Sequence, residues 1–158
     1  MKLGEPRGEA FAVRVSTARF SSPSSEPWPP GLLPVRGWMS VPHVLVDAEG
    51  AVLLDTGLPI DAGRIRKTMM RAGVGPADVR AILLTHGHLD HAGALVEMKA
   101  WTGAPVYAHP AEQAHIDGVF PYTGMARVCG AMEAVGRKLM GYRKGVIDVP
   151  LADGQELP

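Results

Sequence analysis

Apolar and polar positions along the chain change period several times, and each change marks an element. From Phe11 to Phe20 the pattern alternates loosely, with Phe11, Val13 and Val15 on one side, which predicts a first strand. Ser21 to Pro34 is rich in Ser and Pro, contains Trp28, and predicts a loop, either packed on the surface or forming part of a substrate wall. Val41 to Asp47 and Ala51 to Asp55 predict a hairpin joined at Asp47-Ala48-Glu49-Gly50, with His43 inside its first strand as a structural residue. Gly57-Leu58-Pro59 closes that segment. Asp61 to Ala72 then predicts a helix, with Ile65 and Met69 four apart and Arg64, Arg66, Lys67 and Arg71 flanking them, ended by Gly73 and Gly75-Pro76.

Val79 to Leu84 predicts a largely apolar strand, Ala92 to Trp101 a helix ending near Gly103, and Ala104 to Ala108 a short strand. Pro110 opens a helical turn with Glu112 and His115, and Gly118 to Gly124 is a loop holding Phe120, Pro121 and Tyr122. Met125, Val128, Met132, Val135 and Leu139 recur at helical spacing and predict an amphipathic helix. Their simplest reading is a face packed on the sheet; the other is a flexible lid facing substrate. Arg137, Lys138, Arg143 and Lys144 form a basic, solvated end. Helices alternating with strands imply helices packed on a sheet.

At 158 residues the chain suits one domain, and 46% hydrophobic with 20% charged residues is ordinary for a globular protein. Lys+Arg and Asp+Glu both total 16, so no net charge attracts a polyanion and a nucleic-acid partner is not expected. A single cysteine, Cys129, excludes an intrachain disulfide framework and reads as a buried, inert thiol in a reducing compartment. Met1 to Arg19 carries Glu5 and Glu9 without a continuous apolar run, and no stretch is long and apolar enough to span a bilayer. Cytoplasmic residence without a membrane partner is the expectation.

The run Thr85-His86-Gly87-His88-Leu89-Asp90-His91 changes the picture most. It places three imidazoles and a carboxylate at the end of a strand, where structure alone calls for no histidine. Zn²⁺ takes imidazole nitrogen and carboxylate oxygen. On extended chain His86 and His88 project to one side, and Asp90 and His91 follow where the next helix starts. Asp90 as a helix cap among unrelated histidines would leave three imidazoles unexplained.

Thr85-His86-Gly87-His88-Leu89-Asp90-His91-Ala92-Gly93 is similar to the H-x-H-x-D-H signature of the metallo-β-lactamase superfamily, and Val52-Leu53-Leu54-Asp55-Thr56-Gly57 resembles the strand and Asp-Thr-Gly turn that precede it. The resemblance runs from about Val41 to about His109 and more loosely to the end. It implies an α+β fold, the αββα sandwich of that family, with only its N-terminal part present. It implies that His86 and His88 bind one metal and Asp90 and His91 another, with one or two Zn²⁺ in a complete site, and that Asp55 braces the metal loop. Asp90 would also be catalytic, orienting or deprotonating water that attacks a small ester, thioester or lactone. Leu89 suits such a small-molecule hydrolase, since tRNA-processing relatives usually carry glycine there.

A complete family site also draws a histidine, a bridging aspartate and a last histidine from farther downstream. Here the histidines are His43, His86, His88, His91, His109 and His115, and Asp153-Gly154-Gln155-Glu156-Leu157-Pro158 resembles the turn before the next family ligand. Residues 1–158 are therefore expected to form one C-terminally incomplete domain with half a site, weakly active or inactive, binding about one zinc loosely. His109 is the better of two candidates for an extra ligand, ahead of His115. The chain reads as a fragment of a full enzyme, as a half domain forming a homodimer or pairing with a complementing chain, or as a non-catalytic metal-binding module.

Overall fold

The computed structural model describes residues 31–152, 154 and 155. The expected strand from Phe11 to Phe20 and the loop around Trp28 lie outside them. Among the described residues six strands form one mixed sheet in chain order: β1 (Leu32–Pro34), β2 (His43–Asp47), β3 (Gly50–Leu54), β4 (Val79–Leu83), β5 (Val106–Ala108) and β6 (Val149–Pro150). β1, β2 and β3 run antiparallel, and β3 to β6 run parallel. The loop expected through Pro34 therefore ends earlier. Leu32 to Pro34 pairs with Leu45 to His43 as an edge strand, where proline's missing donor is tolerated. β6 is also absent from the sequence expectations, being only two residues long.

The antiparallel hairpin forms as its alternation predicts, with Val44, Val46, Ala51 and Leu53 all buried on one face. Parallel neighbours need long crossovers, and helices supply them. A 3₁₀ turn, Pro59–Asp61, leads into α1 (Ala62–Arg71), which joins β3 to β4 and buries Ile65 and Met69. Between β4 and β5 lie α2 (Leu89–Ala92) and α3 (Leu95–Thr102), the latter burying Leu95 and Met98. These side chains close over Val44, Leu53, Ile82 and Val106 in one core. Each fully buried side chain of this kind contributes roughly 1.5–3 kcal/mol. The opposite face of the sheet carries Leu45, Val52, Leu54, Leu83 and Tyr107 in register; Leu45 is 42% exposed and the others are half-buried.

The helix expected from Ala92 to Trp101 is thus two helices. Gly93 donates its N–H to Gly57 O at 2.8 Å, which ties the break to the turn after β3. A Cβ on Gly93 would lie 2.5 Å from Gly57 O and 2.6 Å from Pro59 Cδ, so only glycine fits this crossing.

α4 (Glu112–Ile116) and α5 (Arg127–Leu139) complete the fold. Here the structure overturns three expectations. The stripe of α5 points outward: Met125 is 87% exposed, Met132 70% and Leu139 80%, with Val128 and Val135 also exposed. It does not pack on the sheet. Cys129, expected to be buried, is exposed on the same helix. Arg137, expected to be solvated, is buried; its Nη1 donates to Ile116 O at 2.9 Å and its Nη2 to Gly87 O at 2.8 Å. Arg143 pairs with Glu97 at Oε1, its Nε 3.0 Å away. Polar demand accounts for the orientation of α5. The buried carbonyls at residues 87 and 116 need a donor and the N–H of Leu89 an acceptor, and Arg137 and Glu133, one turn apart, serve them from the inward face.

This orientation separates two substitutions. Arg137→Ala removes the donor to Gly87 O and the cation beside Glu133 and is expected to cost about 3 kcal/mol. Met132→Ser on the outward stripe is expected to stay within about 0.5 kcal/mol of wild type. Chemical denaturation of both variants checks the pair, and a large loss in Met132→Ser with none in Arg137→Ala would show α5 to be the other way round.

Candidate metal centre

β3 and β4 are parallel neighbours, so their C-terminal ends lie side by side, and the loops that leave those ends build the site. Asp55 follows β3 in a left-handed conformation, φ 60°, which costs an ordinary side chain roughly 1–3 kcal/mol. The strain is offset by what the position reaches. Asp55 Oδ1 accepts from Thr85 N at 2.8 Å, and Oδ2 accepts from Thr85 Oγ1 at 2.8 Å and from His91 Nδ1 at 2.8 Å. Thr56 holds the same segment, its N and Oγ1 both donating to His91 O at 2.6 Å and 2.9 Å. The Asp-Thr-Gly turn and the histidine run are thereby fastened into one unit.

Hydrogen-bond logic then assigns two imidazoles. Thr85 Oγ1 has one proton, which it donates to Asp55, so it accepts from His86 Nδ1, 3.0 Å away. The Asp55 carboxylate likewise only accepts, so His91 Nδ1 carries the other proton. In the neutral form, both histidines therefore keep their lone pair on Nε2. One ring or carboxylate atom from each of His86, Asp90 and His91 lies within 4.8 Å of the others, and His91 Nε2 is 3.4 Å from Asp90 Oδ2. Two imidazole nitrogens and a carboxylate oxygen at that spacing fit a divalent ion such as zinc. Ser40 Oγ donates to Asp90 O and steadies that residue from the loop before β2.

Charge tunes the two histidines in opposite directions. Partial burial lowers the His86 pKa from its ordinary value, helped by neighbouring His91 and His88 and opposed by Asp55 and Asp90. His86 is therefore neutral at pH 7, the form that ligates. The hydrogen bond to Asp55 raises the His91 pKa and outweighs its burial.

His88 stands beside the cluster rather than in it. Its ring centroid lies 4.8 Å from that of His86, and its Nε2 is 2.5 Å from Tyr122 Oη. The backbone around His88 is gripped on three sides. Gly87 N donates to Glu112 Oε2 at 2.9 Å, Gly87 O accepts from Arg137, and Leu89 N donates to Glu133 Oε1 at 2.6 Å. A Cβ at Gly87 would lie 2.7 Å from Glu112 O and 2.9 Å from Ile116 N, so α4 packs directly against the loop.

The sequence reading names His86, His88, Asp90, His91 and Asp55, and the structure brings all five to one strand-end corner. The two outlying histidines, His109 and His115, are placed differently. His109 is exposed and its Nδ1 accepts from Ala111 N, capping the turn into α4. His115 on α4 is the one whose ring comes within 5.3 Å of His88. Glu112, Tyr122, Glu133 and Arg137 escape the sequence reading as site residues. The i,i+4 spacing of Glu133 and Arg137 is a local signal of a pair, but its inward position is not legible without the fold.

Comparison with known proteins bears directly on this geometry. A family model described as "Metallo-beta-lactamase superfamily" matches residues 36–151. A Bacillus subtilis protein described as "Probable metallo-hydrolase YflN" is 42% identical over 72 residues, 45% of this chain and 27% of the relative. The mouse "Metallo-beta-lactamase domain-containing protein 1" is 35% identical over 98 residues, 58% of this chain and 36% of the relative. Among solved structures, a metallo-β-lactamase of Cronobacter sakazakii with a HARLDQ motif superposes with a TM-score of 0.65 at 29% identity. That alignment covers 80% of this chain and 45% of the other. The subclass B3 enzyme BJP-1 of Bradyrhizobium japonicum gives 0.58 at 26% identity, over 73% of this chain and 40% of its own. Each match spans less than half of the relative's length. With the family model covering most of the chain, and with the mixed sheet, its helices and the histidine loop arranged as described, the protein belongs to the metallo-β-lactamase superfamily.

Proposed function

We propose that this chain carries the metal-binding part of a zinc-dependent hydrolase acting on a small ester, thioester or lactone. The observation that carries this reading is the cluster of His86, Asp90 and His91, with the Nδ1 atoms of both histidines held by oxygens of the chain. His86, His88, Asp90 and His91 would hold the metal, and Asp55 would brace His91 and Thr85 behind it. A divalent ion there supplies Lewis acidity and lowers the pKa of water from about 16 to about 7. Asp90 would orient the attacking water and receive its proton. The printed names of the relatives, metallo-hydrolase and metallo-β-lactamase, support hydrolysis. A cytoplasmic setting fits the single cysteine, and among the described residues no helix is long and apolar enough to cross a membrane.

A second reading, a non-catalytic metal-binding or half-domain module that pairs with another chain, is favoured by the sheet face bearing Leu45, Val52, Leu54, Leu83 and Tyr107. Water on that face costs about 25 cal/mol for each Å² of apolar area. Two-fold self-pairing or a complementing chain would remove the cost.

Three measurements test these readings. Purified chain is expected to hold about one zinc, and the His86→Ala/His88→Ala variant to hold none. Asp55→Ala should weaken zinc binding by about 10- to 100-fold, the usual effect of removing an oxygen that orients a ligating histidine. Equal zinc content in wild type and the double variant would sink the metal reading. Activity on thioester, lactone and β-lactam reporters is expected to be weak or absent in these 158 residues, because a metal with few protein donors is poorly fixed. Robust zinc-dependent turnover lost in Asp90→Ala would show the site to be sufficient as it stands. Light scattering after size exclusion is expected to show a dimer or larger species, or a loosely folded chain. A monodisperse monomer with a sharp thermal transition contradicts pairing through the sheet.

A further inference from the structure

Of the three histidines in the loop, two have their ring protons assigned: His91 by the Asp55 carboxylate, which only accepts, and His86 by the Thr85 hydroxyl, whose own proton goes to Asp55. His88 differs, because its partner Tyr122 Oη can accept or donate. The position of that hydroxyl is nonetheless built with care. The Tyr122 ring stacks on Phe120 with centroids 6.0 Å apart and planes 15° apart, and on His115 at 6.1 Å and 29°. The Arg137 guanidinium, already bonded to Gly87 O, lies 5.1 Å over Phe120. Gly130 on α5 makes room for the stack; a Cβ there would sit 3.1 Å from both Phe120 Cβ and Tyr122 Cδ2. The loop of Phe120 and Tyr122, α4 and α5 thus converge to hold one hydroxyl 2.5 Å from one ring nitrogen.

Resting on the metal reading above, we propose that Tyr122 is a positioning residue for His88. Its Oη accepts the Nε2 proton and so selects the tautomer whose Nδ1 lone pair is free to ligate. A neutral imidazole has one N–H and one lone pair, so the partner of one nitrogen decides the role of the other. Thr85 does this for His86 and Asp55 does it for His91, each at Nδ1. Tyr122 does it for His88 at the opposite nitrogen. All three loop histidines then have their protons placed on chain oxygens, and His88, which lies beside the cluster of His86, Asp90 and His91, would join a bound metal without a tautomer change.

Two experiments on the full chain test this. Two-bond ¹H–¹⁵N correlation spectra of metal-free protein read the tautomer directly, and His88 is expected in the Nε2–H form. The Nδ1–H form would overturn the proposal whatever the variants do. Zinc affinity measured by competition with a chromophoric chelator is expected to fall about tenfold or more in Tyr122→Phe, which keeps the ring stack. The same substitution made in a His88→Ala background should then have no further effect. Unchanged or tighter binding in Tyr122→Phe, or an equal loss in the His88→Ala background, overturns the proposal and leaves the metal site standing. Zinc binding that survives His86→Ala/His88→Ala instead removes the metal reading itself.

Discussion

The carboxylate of Asp55 is the point through which the functional corner is held together. Placed in a left-handed conformation directly after β3, it takes the N–H and hydroxyl of Thr85 and the ring proton of His91. Without that acceptor, Thr85 and His91 would lose the side chain they share, and the Thr85 hydroxyl would no longer be committed as a donor. The tautomers of two histidines therefore follow from one strained residue. Strain at such a position persists because the surrounding hydrogen bonds over-determine it.

Around this anchor the fold solves a problem of buried polarity. The loop from Thr85 to Leu89 is irregular chain packed between helices, and its N–H and C=O groups must find partners. Glu112 from α4 and the Glu133–Arg137 pair from α5 supply them. Satisfying those groups turns the polar side of α5 inward and its apolar stripe out, the reverse of what periodicity alone suggests.

What the sequence by itself determined is local. Alternation in Val44, Val46, Ala51 and Leu53, helical spacing in Ile65 and Met69, and the dense run from His86 to His91 all depend on neighbours in the chain, so strands, helix and metal loop are legible there. The family model over residues 36–151 agrees with that reading. What only the tertiary structure decided is which face of α5 is buried, that His115 and not His109 approaches His88, and that Tyr122, Glu133 and Arg137 belong to the site. These depend on contacts between residues 25 to 50 positions apart. Hydrophobic periodicity counts apolar surface within one element, and carries no information about the unsatisfied donors and carbonyls that a distant loop will present to it.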